Sequence, residues 1–267
     1  KYHIQINGRL PPKSYIPQSV KRLQFGTLFN QNIKSYLPDG LDYLDLGYFF
    51  DHDILGCIPN TVTYLKLSGI FNRSIENCIP QSVKHLELGL NFNQNIRGCL
   101  PKSLIHLSLG YFFNQSIEGA LPSTLKYLDL GETFNQKIKD CLPGSLQCLI
   151  FGNLFNQRLE GNIPASVTHL TLGGNIKRKY LRGIPDTVTH LTFKKSFDKD
   201  LKWLMSKPIK HITLGENYNR SLKFLPSTVT HLTILRHCYH DIDRAKFEIE
   251  VKESVPKHVK HIEIMYV

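Results

Sequence analysis

The chain has 267 residues, 41% of them hydrophobic and 21% charged, with a mean hydropathy of −0.21. That length can bury a sizeable core, and that composition excludes a disordered tail, a collagen-like chain and a membrane bundle. Thirty-three Lys and Arg against 22 Asp and Glu give a net charge of +11, concentrated in the C-terminal third, which suggests an acidic partner without naming one. No apolar run is long enough to span a bilayer or to act as a signal peptide. The chain starts at Lys1 with no initiator methionine, which leaves room for a preceding segment.

The first element, His3-Ile4-Gln5-Ile6, alternates apolar and polar residues and reads as a strand. From Pro17 onward the chain repeats itself. Prolines stand at 17, 38, 59, 80, 101, 122, 143, 164 and 185, and each is followed six residues later by Leu, from Leu23 to Leu191. A period of this kind is the signature of a solenoid. In the third turn the apolar columns are Val62, Leu65, Leu67, Phe71, Ile75 and Ile79. Alternation around Leu65 and Leu67 predicts a short strand with alternate residues inward, closed by a Gly that recurs at 47, 89, 110 and 131. The return path carries Asn, Gly and Pro, which break a helix, so extended or 3₁₀ arcs are expected there. The pattern is regular over 3–173 and degenerate over 174–235. An insertion and a C-terminal cap occupy 236–267, so residues 1–267 read as one solenoid of about twelve turns. Within it, 236–255 is a loop or short helix that either covers the open edge or binds a partner.

The segments Phe29-Asn30-Gln31-Asn32-Ile33, Phe92-Asn93-Gln94-Asn95-Ile96 and Phe113-Asn114-Gln115-Ser116-Ile117, each followed shortly by Leu-Pro, resemble the FNIP-repeat family of social amoebae and amoeba-infecting giant viruses. This resemblance implies a leucine-rich-repeat-like horseshoe, mostly β with little helix, its parallel sheet on the concave face. It also implies protein recognition. Relatives often carry an F-box ahead of the repeats, so the parent chain would be a substrate receptor bound to a cullin-ligase adaptor if such a segment precedes this one. No F-box pattern is visible here.

Strand alternation turns two columns away from the core. The first holds Tyr43, Tyr64, His85, His106, Tyr127, His169, His190, His211 and His231. The second includes Asp45, Lys66, Glu87 and Asp129, with Tyr111 close by and Thr in the later turns. Tyr beside charge on a rigid face suits protein recognition. Imidazoles side by side on parallel strands do not converge on one ion, so no metal site is expected. Protonation of neighbouring imidazoles should make binding through this column depend on pH.

Lys177, Arg178, Lys179 and Arg182, with Lys194 and Lys195 one turn on, form the densest basic cluster. It reads as a solvated face, a nuclear import signal, or a phosphate or nucleic-acid contact, although no nucleic-acid module accompanies it. The Asn after each Phe reads as a backbone-bonding ladder. Cys57, Cys78, Cys99 and Cys141 share one small slot and, with Cys148 and Cys238, read as reduced thiols. No GxSxG, HExxH, phosphate loop or CxxC is present. The sequence therefore points to a non-catalytic recognition module that needs no cofactor. Its alternatives are a structural scaffold and a basic-patch nucleic-acid or phosphate binder. The expected compartment is the cytoplasm, the host cytosol for a viral chain, with the nucleus as an alternative.

Overall fold

The computed structural model describes residues 2–8, 16–237 and 241–266. The chain forms two compact units, Lys1–Leu146 and Gln147–Val267. The first carries seven strands: β1 (Tyr2–Ile6), β2 (Val20–Phe25), β3 (Tyr43–Asp45), β4 (Tyr64–Lys66), β5 (His85–Glu87), β6 (His106–Ser108) and β7 (Tyr127–Asp129). They lie side by side in chain order and pair parallel, Leu23 opposite Leu44, Leu44 opposite Leu65 and so on to Leu128. Strands β3 to β7 are only three residues long, each centred on its inward Leu. The next inward residue, such as Leu67 or Leu88, already leads into the turn.

The predicted columns form the core. Leu65, Phe71, Ile75 and Val62 have no exposed surface, and the same holds for their counterparts one turn on, Leu86, Phe92, Ile96 and Val83. Each fully buried side chain of this kind contributes about 1.5–3 kcal/mol. The Phe rings stack from turn to turn, Phe71 on Phe92 at 6.5 Å and 3°, Phe92 on Phe113 at 6.4 Å and 7°. Parallel displaced stacking keeps these rings in contact at a spacing set by the backbone ladder.

Two polar ladders satisfy the arcs between the strands. The Asn72 Oδ1 accepts from the Asn93 backbone N–H at 2.9 Å, Asn93 serves Asn114 at 2.9 Å, and Asn114 serves Asn135 at 2.9 Å. The second ladder lies two residues after each proline. Thr61, Ser82, Ser103 and Thr124 donate their hydroxyls to the carbonyls of Leu41, Val62, Val83 and Leu104 at 2.6–3.0 Å. The proline carbonyl itself accepts from the N–H three residues on, as Pro59 does from Val62 at 3.1 Å. Backbone groups that no strand or helix uses are thereby paired. Glycine is required where turns touch: a Cβ on Gly89 would lie 1.5 Å from the Ser68 carbonyl oxygen.

The second unit repeats the plan with β8 (Cys148–Ile150), β9 (His169–Leu172), β10 (His190–Phe193), β11 (His211–Leu214), β12 (His231–Arg236) and β13 (His261–Tyr266). The strands are again parallel and in chain order. Here the repeat length varies, yet His211 still pairs with His231 and His231 with His261. Strand register is conserved and the arcs absorb the irregularity. They do so with the short helix α1 (Arg178–Leu181), 3₁₀ turns at Lys202–Leu204 and Leu222–Phe224, and helix α2 (Asp241–Ser254). Of the insertion 236–255, residues 238–240 with Cys238 lie outside the described residues. The rest is mostly α2, which forms the return path between β12 and β13 and buries Val251. Its Phe247 ring lies 4.7 Å under the Arg236 guanidinium, and its Glu248 accepts from the Tyr266 hydroxyl at 3.1 Å. The fold is thus a leucine-rich-repeat-like solenoid, mostly strand and turn.

Candidate functional site

On the first unit, the residues flanking each inward Leu stand on the outer face of the sheet. Tyr43, Tyr64, His85, His106 and Tyr127 form one continuous ring stack, with centroid separations of 4.8, 5.7, 5.5 and 3.9 Å. Arg22 closes the row, its guanidinium 4.2 Å from the Tyr43 centroid. Burial and the His85 charge hold His106 below the ordinary imidazole pKa, against the pull of Glu87. Burial followed by the Glu87 carboxylate, to which its hydroxyl donates, raises Tyr64 well above the ordinary phenol range.

The second outward row behaves differently from its sequence reading. Asp45 is only 4% exposed. Its Oδ1 accepts from the Gly47 N–H at 2.9 Å, and its Oδ2 pairs with Lys66 Nζ at 3.5 Å. Asp129 likewise accepts from the Gly131 N–H at 2.9 Å. Gly47 and Gly131 both have positive φ, 75° and 77°. These two acids fasten the turn at the strand end, which leaves Lys66 and Glu87 as the charges offered outward.

Just beyond that turn lies a feature the sequence columns did not single out, apart from Tyr111. Leu28, Tyr48, Phe49, Leu90, Tyr111 and Phe112 are all at least 40% exposed. They form an apolar ridge beside the charged row. A backbone ladder holds it: Phe49 N–H donates to the Thr27 carbonyl at 3.0 Å, Ile70 to Tyr48 at 3.1 Å, Asn91 to Gly69 at 2.8 Å, and Phe112 to Leu90 at 3.0 Å. Tyr48 meets Phe49 edge-on at 5.0 Å, and Tyr111 meets Phe112 at 4.9 Å. Between ridge and charged row runs a groove of about 370 Å³ whose walls include Asp45, Lys66, Glu87, Tyr48 and Leu90. The signal was the pair of residues after each strand-closing position, which carries at least one apolar side chain in every turn from Thr27-Leu28 to Tyr111-Phe112 and is Tyr-Phe in two of them.

On the second unit the outward column is a stack of imidazoles. His169, His190, His211, His231 and His261 follow at centroid separations of 4.1, 4.2, 4.2 and 4.4 Å. The hydroxyls of Thr168, Thr189 and Thr230 sit 2.8–2.9 Å from the Nδ1 atoms of the next histidines and fix the ring planes. Burial, then the neighbouring His169, His211 and His231 and finally Lys210, push His190 down to about 4. Burial, then His231, His169 and Lys210, lowers His211 as well. Rings stacked face to face direct their nitrogens sideways in parallel, and no three His, Cys, Asp or Glu converge on a point among the described residues.

The basic cluster divides in two. Arg178, Lys179 and Arg182 line a groove of about 820 Å³, where Lys202, Trp203, Ser206 and Lys207 join them from the following turn. Lys194 and Lys195 do not line that groove, and Lys195 pairs instead with Glu216 at 2.6 Å. Lys177 is tied through its backbone N–H to Asn156 at 3.0 Å. Cys57 and Cys78 are buried and Cys99 and Cys141 partly so, all four as free thiols, and burial raises the thiol pKa of each.

Comparison with known proteins agrees with this architecture. Among curated proteins nothing matches the chain. Among solved structures it is similar to CroV588, a giant-virus protein described as a novel circular LRR structure, at 35% identity and a TM-score of 0.71. The similarity covers 93% of this chain and 37% of CroV588, so the chain spans well under half of that protein. No helix among the described residues is long and apolar enough to cross a membrane. The FNIP Repeat profile matches at 11–49, 29–69, 71–112, 113–154 and 155–196, most of the length, and the chain belongs to the FNIP repeat family.

Proposed function

We propose that the chain is a non-catalytic protein-recognition module and that the outer face of its first unit is the contact surface. The observation that carries this reading is the ridge of Leu28, Tyr48, Phe49, Leu90, Tyr111 and Phe112, exposed yet held by a regular backbone ladder. Large apolar side chains on a rigid surface cost little entropy to bury, and contiguous patches of them mark interaction sites. The Tyr43–Tyr127 stack with Lys66 and Glu87 supplies the aromatic and charged contacts that give such a surface its selectivity. Attachment to a ubiquitin-ligase adaptor would require an F-box elsewhere in the parent protein, and that extension rests on family resemblance alone.

Capture from host-cell extract tests the reading when the wild type is paired with a Tyr48→Ser, Leu90→Ser, Phe112→Ser variant. These side chains are 40–48% exposed, so the variant should remain folded. A partner retained by the wild type and lost by the folded variant is the expected result. Equal capture by both moves recognition off this face. A chain that captures nothing and self-associates in sedimentation instead has a scaffold role.

A further inference from the structure

The groove lined by Arg178, Lys179, Arg182, Lys202 and Lys207 gathers five cations around one depression. Two of them are anchored. Arg178 is held bidentately by Asp200 at 2.9 and 3.0 Å, and Lys207 by Asp186 at 2.7 Å and the Ile184 carbonyl at 2.7 Å. The other three form no ion pair among the described residues. Lys179 lies 5.1 Å from the Tyr180 ring centroid and Lys202 lies 4.6 Å from that of Phe224, contacts that place a charge without neutralising it. Lining the groove, then, are three cations without a carboxylate partner among the described residues, Lys179, Arg182 and Lys202, whose charge an anion would balance.

We propose that this groove binds a compact ligand carrying several linked phosphates. Phosphate fits because Arg182 offers a planar fork that matches its oxygens and Lys179 and Lys202 supply point charges. A small ligand fits because a volume of about 820 Å³ falls within the 300–1,000 Å³ usual for small-molecule sites. An extended nucleic acid would instead need a track of cations, and Lys194 and Lys195, the nearest continuation in sequence, do not line the groove.

Trp203 is the only tryptophan of the chain and part of the groove wall, so its emission reports on occupancy. Inorganic tripolyphosphate, ATP and a twenty-nucleotide DNA strand are titrated by calorimetry and by Trp203 fluorescence, at 50 and 200 mM salt. Binding of tripolyphosphate with a change in Trp203 emission is expected, weakening at the higher salt. Arg182→Ala and Lys202→Ala, both on exposed side chains, should each lower affinity about tenfold or more. The Lys194→Ala, Lys195→Ala double variant should stay within twofold. Equal affinity for ATP and tripolyphosphate identifies the phosphate chain alone as the ligand, and tighter ATP binding identifies a nucleotide. Three results overturn the proposal: no heat with either compound, heat unaffected by Arg182→Ala, or DNA that binds more tightly than tripolyphosphate and depends on Lys194 and Lys195.

Discussion

Acidification should strain the second unit at its histidine stack. His190 lies between His169 and His211 at 4.1 and 4.2 Å, so a charge on its ring would sit against two like rings, with His231 and Lys210 nearby. Its folded pKa is down at about 4, whereas the unfolded value is the ordinary 6.5. Between these values the unfolded chain binds the extra proton and the folded chain does not, so stability rises with pH through that window. The loss begins as pH falls below 6.5 and is complete below about 4. From 6.5 to pH 5 the unscreened cost is about 2 kcal/mol, since each unit is worth about 1.4 kcal/mol. The ring is partly exposed, and solvent screening reduces this to about 1 kcal/mol, a drop in Tm of about 2–4 °C for a chain of this size. Other acid-sensitive groups contribute to the raw profile, so the informative quantity is the difference from a His190→Phe variant, which keeps the ring stack without the titration. Thermal denaturation at pH 7 and pH 5 should show a smaller loss for the variant by that margin. An NMR titration of the imidazole carbons should place the His190 midpoint near 4. Identical losses in both proteins, or a midpoint near 6.5, would refute the reasoning.

Gly89→Ala should destabilise the first unit by about 3 kcal/mol, because the new Cβ would meet the Ser68 carbonyl oxygen at 1.5 Å and backbone cannot step aside cheaply. Gly98→Ala, at φ 76° with nothing within 4 Å, should cost only about 1–2 kcal/mol, so denaturant midpoints of the two separate contact from conformational strain. Asn93→Ala removes the acceptor for the Asn114 N–H and should cost about 1 kcal/mol. Asn93→Asp should restore the loss, as Asp198 already serves Asn219 at 3.2 Å. Cys78, pushed up to about 11 chiefly by burial, should alkylate about a hundredfold more slowly than a free thiol at pH 8, read by mass spectrometry of iodoacetamide adducts.

What was legible in the sequence was whatever one period repeats. Leu65, Phe71 and Ile75 recur because each must occupy the same place in every layer, and a residue of another size would open a void or a clash there. The Asn ladder was legible for the same reason: Asn72, Asn93 and Asn114 each bond the chain one full turn on. The hydroxyl ladder was missed because Thr61, Ser82, Ser103 and Thr124 are split between two residue types and stand two residues after a proline that already explains the turn. Asp45 was read as a surface charge, since alternation fixes which face a Cβ leaves from and not where a short carboxylate finds its donor. The basic groove was half legible. Arg178, Lys179 and Arg182 are consecutive enough to notice, whereas Lys202 and Lys207 reach the same depression only through a 3₁₀ turn in the degenerate part of the array.

The ridge escaped detection for a reason that bears on function. A residue that supports the fold must repeat, because the layers above and below it repeat. Thr27-Leu28, Tyr48-Phe49, Gly69-Ile70, Leu90-Asn91 and Tyr111-Phe112 occupy equivalent places; Tyr-Phe recurs at two of them, and no single residue type fills either position throughout. Their backbone is locked by the ladder from Thr27 to Thr133, while their side chains face solvent. Stability thus places almost no demand on what those side chains are, and the fold presents them at fixed intervals whatever their chemistry. An array built this way can change what it recognises by substituting ridge residues at a cost within about 0.5 kcal/mol each, whereas a change in the Leu, Phe or Gly columns costs several times more. Variation concentrated where the scaffold is rigid is the arrangement that separates recognition from folding.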